Sequence, residues 1–151
     1  MDQEEQHAFN QRNIVEFRSS GGRIESFGDA PVLLLTTTGR KSGRPRTSPL
    51  MYLADGERRD RVFVFASAGG SDTDPTWLRN IGSQPEVTVE IGDETMTATA
   101  EVLPEDSRAS VYAIQAQRYS GFAAYQSMTS RRIPVVALTL HVPRASSGQA
   151  G

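Results

Sequence analysis

The chain has 151 residues, 16 Lys and Arg against 18 Asp and Glu, and no cysteine. This length suits one domain with its own core, and a net charge of −2 argues against a general nucleic-acid binder, which is basic over a whole face. The lack of cysteine excludes disulfides, thiolate catalysis and zinc–thiolate sites.

The N-terminal half predicts one helix and three strands. Residues 2–19 read as an amphipathic helix, with Phe9, Ile14, Val15 and Phe17 mostly on one side, that ends at the SGG of residues 20–22. This acidic start, MDQEEQHAF, predicts no signal peptide. Runs of β-forming residues predict strands at 32–38, 47–54 and 61–66, and a turn spans 39–45.

The C-terminal half predicts three helices and three strands. Asp74 is a typical N-cap and Pro75 a typical first helical residue, so a short helix is expected to end near Gly82. A hairpin turns at residues 92–93. A helix from 104 to about 119 is interrupted at Gly121 and followed by another at 122–128, and the last strand lies in IPVVALTLHV.

About six strands joined mostly by tight turns imply antiparallel pairing, because parallel pairs need long crossovers. We therefore expect an α+β fold, a small and mostly antiparallel β-barrel with flanking helices. One domain is expected over residues 1–142 and a disordered tail over 143–151. No stretch approaches the roughly 20 apolar residues of a membrane span. A cytoplasmic protein is expected, with peripheral contact at a membrane left open.

A turn in the segment TTTGRKSGRPRTSPL (residues 36–50) concentrates positive charge. Its cations are Arg40, Lys41, Arg44 and Arg46. Guanidinium forks, an ammonium group and N–H groups near glycines together suit an oxyanion such as phosphate or carboxylate. A solvated hairpin turn or a weak RNA contact is the alternative.

Two further segments suit a ligand. ASAGG (66–70) ends a strand in very small residues, which lets a ligand lie against the backbone. Taken alone the segment favours a plain flexible loop, and a position beside the cationic turn would favour the ligand. Trp77, Asn80 and Ile81 share one helical face. This face is either a core anchor or the wall for a flat ring, with Asn80 bonding a heterocycle edge.

An aromatic stripe, Tyr119, Phe122 and Tyr125, recurs at a spacing of three and is either core or a pocket lid. The two histidines, His7 and His141, fit no metal-ligand spacing, so no metal is expected. Without a nucleophile motif or a phosphate-loop motif, an enzyme of this sequence would depend on a bound cofactor for the hard step.

These segments, with PTWLRN, PEVTVEI and YQSMTSRRIPVV, resemble the deazaflavin-dependent nitroreductase family of actinobacteria, flavin/deazaflavin oxidoreductases of the split β-barrel fold. The resemblance covers about residues 9–142 and implies coenzyme F420, a 5-deazaflavin with a phosphate and a polyglutamate tail. The cofactor-binding residues it implies are Arg40, Lys41 and Arg46 at the phosphate and tail, Pro49, Leu50 and Met51 along the ring, Ser67, Ala68 and Gly69 in a second phosphate-side loop, and Trp77 and Asn80 beside the ring. Tyr119, Phe122 and Tyr125 line the substrate side, with Tyr119 and Tyr125 as the candidate catalytic groups.

Three residues depart from the family pattern. Ala68 stands where many members have Lys, which removes an anion contact. Met51 replaces an aromatic residue near the ring. Phe122 replaces a tyrosine discussed as a donor to substrate, which puts activity on nitroimidazoles in question.

The resemblance implies an F420H2-dependent reductase that passes a hydride to a quinone, an activated enone or a nitroaromatic. An FMN-dependent oxidoreductase of the same fold and a non-catalytic F420 carrier are the alternatives. The expected partner is a small-molecule electron acceptor rather than a nucleic acid, and the protein is expected to be a monomer or a homodimer.

Overall fold

The computed structural model describes residues 3–141, so the predicted tail at 143–151 lies outside the described residues. The helices and strands are α1 (Gln3–Ser20), β1 (Val32–Thr38), β2 (Pro45–Ala54), β3 (Arg61–Phe65), α2 (Thr76–Ser83), β4 (Glu86–Ile91), β5 (Glu94–Val102), α3 (Glu105–Arg118), α4 (Ser120–Ser127) and β6 (Val135–His141). Short 3-10 helices lie at Glu25–Phe27 and Ala68–Gly70.

The six strands form a closed barrel in the order β1-β2-β3-β6-β5-β4, and all neighbours are antiparallel. This confirms the predicted α+β barrel with flanking helices. The barrel interior holds one cluster of buried side chains, which includes Leu33, Leu35, Val64, Val89 and Leu138.

Helices cover parts of the outer face of the barrel. Successive side chains of a strand point to opposite faces, so β3 contributes Val64 to the interior and Phe65 to a second cluster with α3 and α4. In the same way β1 contributes Leu34 to a third cluster, beneath α1. Strands buried on both faces explain why β1 and β3 read as nearly continuous apolar runs.

The predicted apolar side of α1 is partly wrong. Ile14 and Phe17 are buried against Leu34, but Val15 is 66% exposed. The helix is attached at its C-terminal end, where Arg18 donates two hydrogen bonds of 3.0 and 2.9 Å to the Glu90 carboxylate. Residues beyond the helix also approach the β4–β5 turn.

That approach brings two backbones together. Gly22 has a φ of +109°, and a Cβ placed there would lie 2.7 Å from the Cα of Gly92. Only glycine permits both this conformation and this distance.

Two predicted helix boundaries are wrong. α2 begins at Thr76, with Pro75 outside it in an extended conformation, and Asp74 caps nothing because it pairs with Arg131 at 3.1 Å. The break between α3 and α4 falls at Tyr119 (φ −134°, ψ 100°), and Gly121 lies within α4. Within the described residues, no helix combines the length and apolar character needed to span a bilayer.

Candidate functional site

Three adjoining spaces lie along β2. We call them the cationic compartment (about 190 Å³), the central cleft (about 570 Å³) and the outer compartment (about 540 Å³). The first two share Thr76 as a lining residue, and the last two share Phe27, Met51, Phe122 and Tyr125. A ligand with an anionic end and a flat body can therefore extend from one space into the next.

The cationic compartment is formed by the β1–β2 turn and the start of α2. It is lined by Gly39, Arg40, Lys41, Ser42, Arg46, Thr76 and Asn80. The N–H of Gly39 donates to the Arg44 carbonyl at 2.8 Å, and the N–H of Gly43 donates to the Gly39 carbonyl at 2.8 Å. The four cations of the turn are exposed, and none of their side chains forms an ion pair within residues 3–141.

Asn80 holds this turn from below. Its side chain is 1% exposed; Oδ1 accepts the N–H of Arg40 at 3.1 Å, and Nδ2 donates to Thr37 Oγ1 at 3.0 Å. Asn80 thus lines the cationic compartment rather than the central cleft, and both polar groups of its amide contact protein. A role of Asn80 in cofactor binding stays a prediction, and Asn80 would act by holding the β1–β2 turn in place.

One wall of the central cleft comes from β2 and α2. Pro49, Leu50 and Met51 line it, as does Trp77. Trp77 is 6% exposed and packs with Ile81 in the barrel interior, so it is a core residue that also borders the cleft. Trp77 therefore fits both interpretations, because its side chain packs in the core and also borders the cleft.

A further part of the cleft lining is the short loop after β3. Ser67, Ala68 and Gly69 line the cleft, and Ala68 is left-handed with a φ of +46°. Gly70 packs against α4: a Cβ there would lie 3.2 Å from the carbonyl oxygen of Tyr125. The loop is therefore shaped by contacts behind it, which a plain flexible loop would lack.

Phe122 is both core and wall. It is 7% exposed, and its ring makes edge-to-face contacts with Phe65 and Tyr125 at centroid distances of 5.4 and 5.3 Å. The Tyr112 hydroxyl donates to the Phe122 carbonyl at 2.6 Å, and burial raises the pKa of Tyr112 to about 12. The aromatic stripe is therefore not a free lid, because its middle member belongs to the α3–α4 cluster.

The two candidate catalytic tyrosines differ in position. Tyr125 is half-buried and lines both the central cleft and the outer compartment, whereas Tyr119 lines only the outer compartment. Neither hydroxyl has a hydrogen-bond partner in the part of the chain that the structure describes. All three residues of the stripe border the outer compartment, and of the two tyrosines only Tyr125 also borders the central cleft.

Sequence reasoning missed several lining residues, among them Gln6, Asn10 and Phe27. Gln6 and Asn10 of α1 border the central cleft, and Gln6 Nε2 donates to Asn10 Oδ1 at 3.1 Å. Their i, i+4 spacing was the available signal. Phe27 borders both the cleft and the outer compartment, and nothing in its local sequence indicated this.

These groups fit coenzyme F420. The exposed cations of the turn can bind the phosphate and the acidic tail. The neighbouring cleft, with Leu50, Met51, Phe65 and Trp77 among its lining residues, suits a flat ring. A closed antiparallel barrel with such a cleft beside a cationic hairpin defines a flavin- or deazaflavin-binding protein of the split-barrel class.

The comparison with known families narrows this class. The family model for F420H(2)-dependent quinone reductase matches residues 9–140. The chain belongs to this family, which confirms the predicted F420H2-dependent oxidoreductase and its cofactor, F420.

Known relatives agree. The F420H(2)-dependent quinone reductase of Mycobacterium tuberculosis (strain ATCC 25618 / H37Rv) is 40% identical over 131 residues, which cover 82% of this chain and 84% of that protein. A solved F420-H2 dependent reductase (FDR-A) is 35% identical with a TM-score of 0.64, covering 72% of this chain and 93% of its own. A chain described as a domain-swapped dimer is 32% identical with a TM-score of 0.66, covering 85% and 92%.

Proposed function

We propose that this protein reduces a quinone with F420H2, with the acceptor bound in the outer compartment. The continuity of the three spaces along β2 carries the proposal, because it joins an anion site, a ring site and an acceptor site in the order that hydride transfer needs. The name of the M. tuberculosis relative supports a quinone as the acceptor.

The cofactor would be bound both by charge and by the shape of the cleft. Arg40, Lys41 and Arg46 bind the phosphate and tail, since guanidinium and ammonium groups pair with these anions. Residues 49–51 and 67–69 contact the ring and keep water from it. When bound, F420H2 supplies a hydride from its C5 carbon.

The acceptor would be bound by apolar contacts and by one hydroxyl group. Phe9, Phe27, Met51 and Phe122 border the outer compartment and suit a flat quinone ring. Hydride arrival builds negative charge on a quinone oxygen. Tyr125 borders both spaces, so its hydroxyl can stabilise that charge and donate the proton.

The test is anaerobic turnover with two donors and three acceptors. Purified protein is mixed with F420H2 or FMNH2 and with a water-soluble naphthoquinone, an activated enone or a nitroaromatic, and each rate is corrected for the reaction without protein. We expect protein-dependent oxidation of F420H2, fastest with the quinone. Equal use of FMNH2 would favour the FMN-dependent alternative, and tight F420 binding without turnover of any acceptor would favour the carrier.

A further inference from the structure

Arg131 makes several hydrogen bonds to the loop that lines the cleft. Among the described residues, no side chain that lines the cleft makes as many. Arg131 lies between α4 and β6, and its side chain is 16% exposed. The guanidinium donates to the carbonyl oxygens of Ala66, Ser67 and Ser71 at 3.1, 3.1 and 2.8 Å, and to Asp74 Oδ1 at 3.1 Å. It therefore contacts both ends of the loop that contains Ser67, Ala68 and Gly69.

These contacts fix which way the loop peptides face. In a trans peptide the carbonyl and the N–H point in opposite directions. Because the carbonyls of Ala66 and Ser67 turn toward the guanidinium, the N–H groups of Ser67 and Ala68 turn away from it. Both of those residues border the central cleft.

The loop conformation supports this orientation. Ser67 is right-handed (φ −76°, ψ −33°) and Ala68 is left-handed (φ +46°). This succession is the one that gathers neighbouring N–H groups into an anion-binding concavity. A left-handed alanine persists only where its surroundings enforce it. The Arg131 fork binds the carbonyls of Ser67 before it and Ser71 after it, and the N–H of Gly70 closes the loop on the Ser67 carbonyl at 2.8 Å.

Arg131 is itself held in place by α4. Gln126 Nε2 donates to the Arg131 carbonyl at 2.7 Å, and Gln126 Oε1 accepts the N–H of Ile133 at 3.0 Å. The planar fork thus stands on a fixed backbone. A lysine at the same position offers one point charge and cannot match four acceptors in a fork geometry.

We propose that Arg131 is the positioning residue that sets the Ser67–Ala68 peptides for binding an oxyanion of F420. The inference rests on the proposed function for the identity of the ligand. It needs no contact between Arg131 and the cofactor.

The test uses Arg131→Lys, Arg131→Met and the matched control Arg132→Met. Arg132 is the neighbouring residue, is 70% exposed and pairs with Glu105 at 3.1 Å, away from the loop. Hydrogen exchange of amides 67–71 is measured on the full chain without cofactor. F420 affinity is measured by fluorescence titration, and kcat is measured at saturating F420H2.

We expect both Arg131 variants to speed exchange of the loop amides and to weaken F420 binding by about tenfold or more, with kcat nearly unchanged, whereas Arg132→Met changes none of these. A variant that only lost folded protein would show a lower kcat and an unchanged dissociation constant for F420. Unchanged loop exchange, or exchange accelerated equally in the barrel strands, would overturn the proposal. Failure of the wild type to bind F420 would instead contradict the proposed function, and the exchange experiment would still decide the role of Arg131.

Discussion

At the scale of single residues, Tyr119 and Tyr125 are the same side chain in two different positions. Tyr125 borders the cleft and the outer compartment, and Tyr119 borders only the latter. We expect Tyr125→Phe to lower kcat for the quinone by about 100-fold, the range seen when one donor to a developing oxyanion is removed. F420 affinity should stay within about twofold, because the ring is retained.

Tyr119→Phe is the matched control for Tyr125→Phe, since it removes the same hydroxyl from the same aromatic stripe. Its effect should fall mainly on KM for the quinone. Steady-state kinetics with F420H2 on both variants separate the two. Equal losses of kcat would show that both hydroxyls reach the reacting atoms.

Tyr112 makes stability depend on alkaline pH. Its folded-state pKa is about 12, against an ordinary value of 10.0, because burial disfavours the phenolate. The unfolded chain therefore loses this proton first, and the free energy of unfolding falls as pH rises from about 10 to 12. The loss from this one group is about 2 kcal/mol.

Tyr112→Phe isolates that contribution. At pH 7 the variant should be less stable by about 1 kcal/mol, because the hydrogen bond to the Phe122 carbonyl is lost. Its decline between pH 10 and 12 should be shallower than that of the wild type. Urea unfolding at several pH values measures both, and parallel declines would contradict the assignment.

At the scale of elements, α2 supports the β1–β2 turn through Asn80. We expect Asn80→Ala to lower the free energy of unfolding of the cofactor-free protein by about 1–3 kcal/mol, because Thr37 and the Arg40 N–H lose buried partners. F420 affinity should fall as well, since the turn is released. A role limited to the ring edge would lower affinity and leave the cofactor-free protein unaffected.

A double-mutant cycle with Thr37→Val tests the contact itself. Thr37 accepts from Asn80 Nδ2, so the two substitutions should be non-additive by at least about 0.5 kcal/mol. Additive losses in urea unfolding would mean that the Asn80–Thr37 bond does not carry the effect.

Elements with a strong local pattern could be predicted, and boundaries set by distant partners could not. The strands and the hairpin at residues 92–93 follow from β-forming residues and turn chemistry. Asp74 has the local look of an N-cap, but a residue 57 positions away binds it. The helix break was predicted at Gly121 but lies at Tyr119, because a glycine permits a break without requiring one.

In the site, too, features with a local sequence pattern could be predicted and features set by distant partners could not. The cationic turn is local in sequence, so its residues were identifiable, and the same holds for the ASAGG loop. The contribution of α1 through Gln6 and Asn10 depends on how a helix packs across β2, which no local pattern encodes. Whether Trp77 is core or wall was likewise undecidable, because the cleft lies against the core.

At the scale of the whole molecule, a slightly acidic protein carries four cations in one turn, and none of them forms an ion pair with another residue of the described range 3–141. We expect Arg40→Ala or Lys41→Ala to weaken F420 binding by about tenfold or more and FMN binding less, because FMN lacks the acidic tail. The difference should shrink as salt rises, since screening already weakens the wild-type contact.

Arg59→Ala is the control, because Arg59 is exposed in the β2–β3 turn and belongs to none of the three spaces. Fluorescence titration at two ionic strengths makes the comparison. Losses that are equal for both ligands and independent of salt would rule out the tail contact.

The attachment of α1 has a mechanical consequence. The helix is tied down at Arg18 and beyond it at the Gly22–Gly92 contact, while Gln6, about 18 Å further along its axis, borders the central cleft. A tilt of about 5° at the tied end would move Gln6 by about 1.6 Å. Arg18→Met should therefore speed F420 dissociation up to about fivefold without touching the cleft, and an unchanged rate would show that the buried Ile14 and Phe17 hold the helix alone.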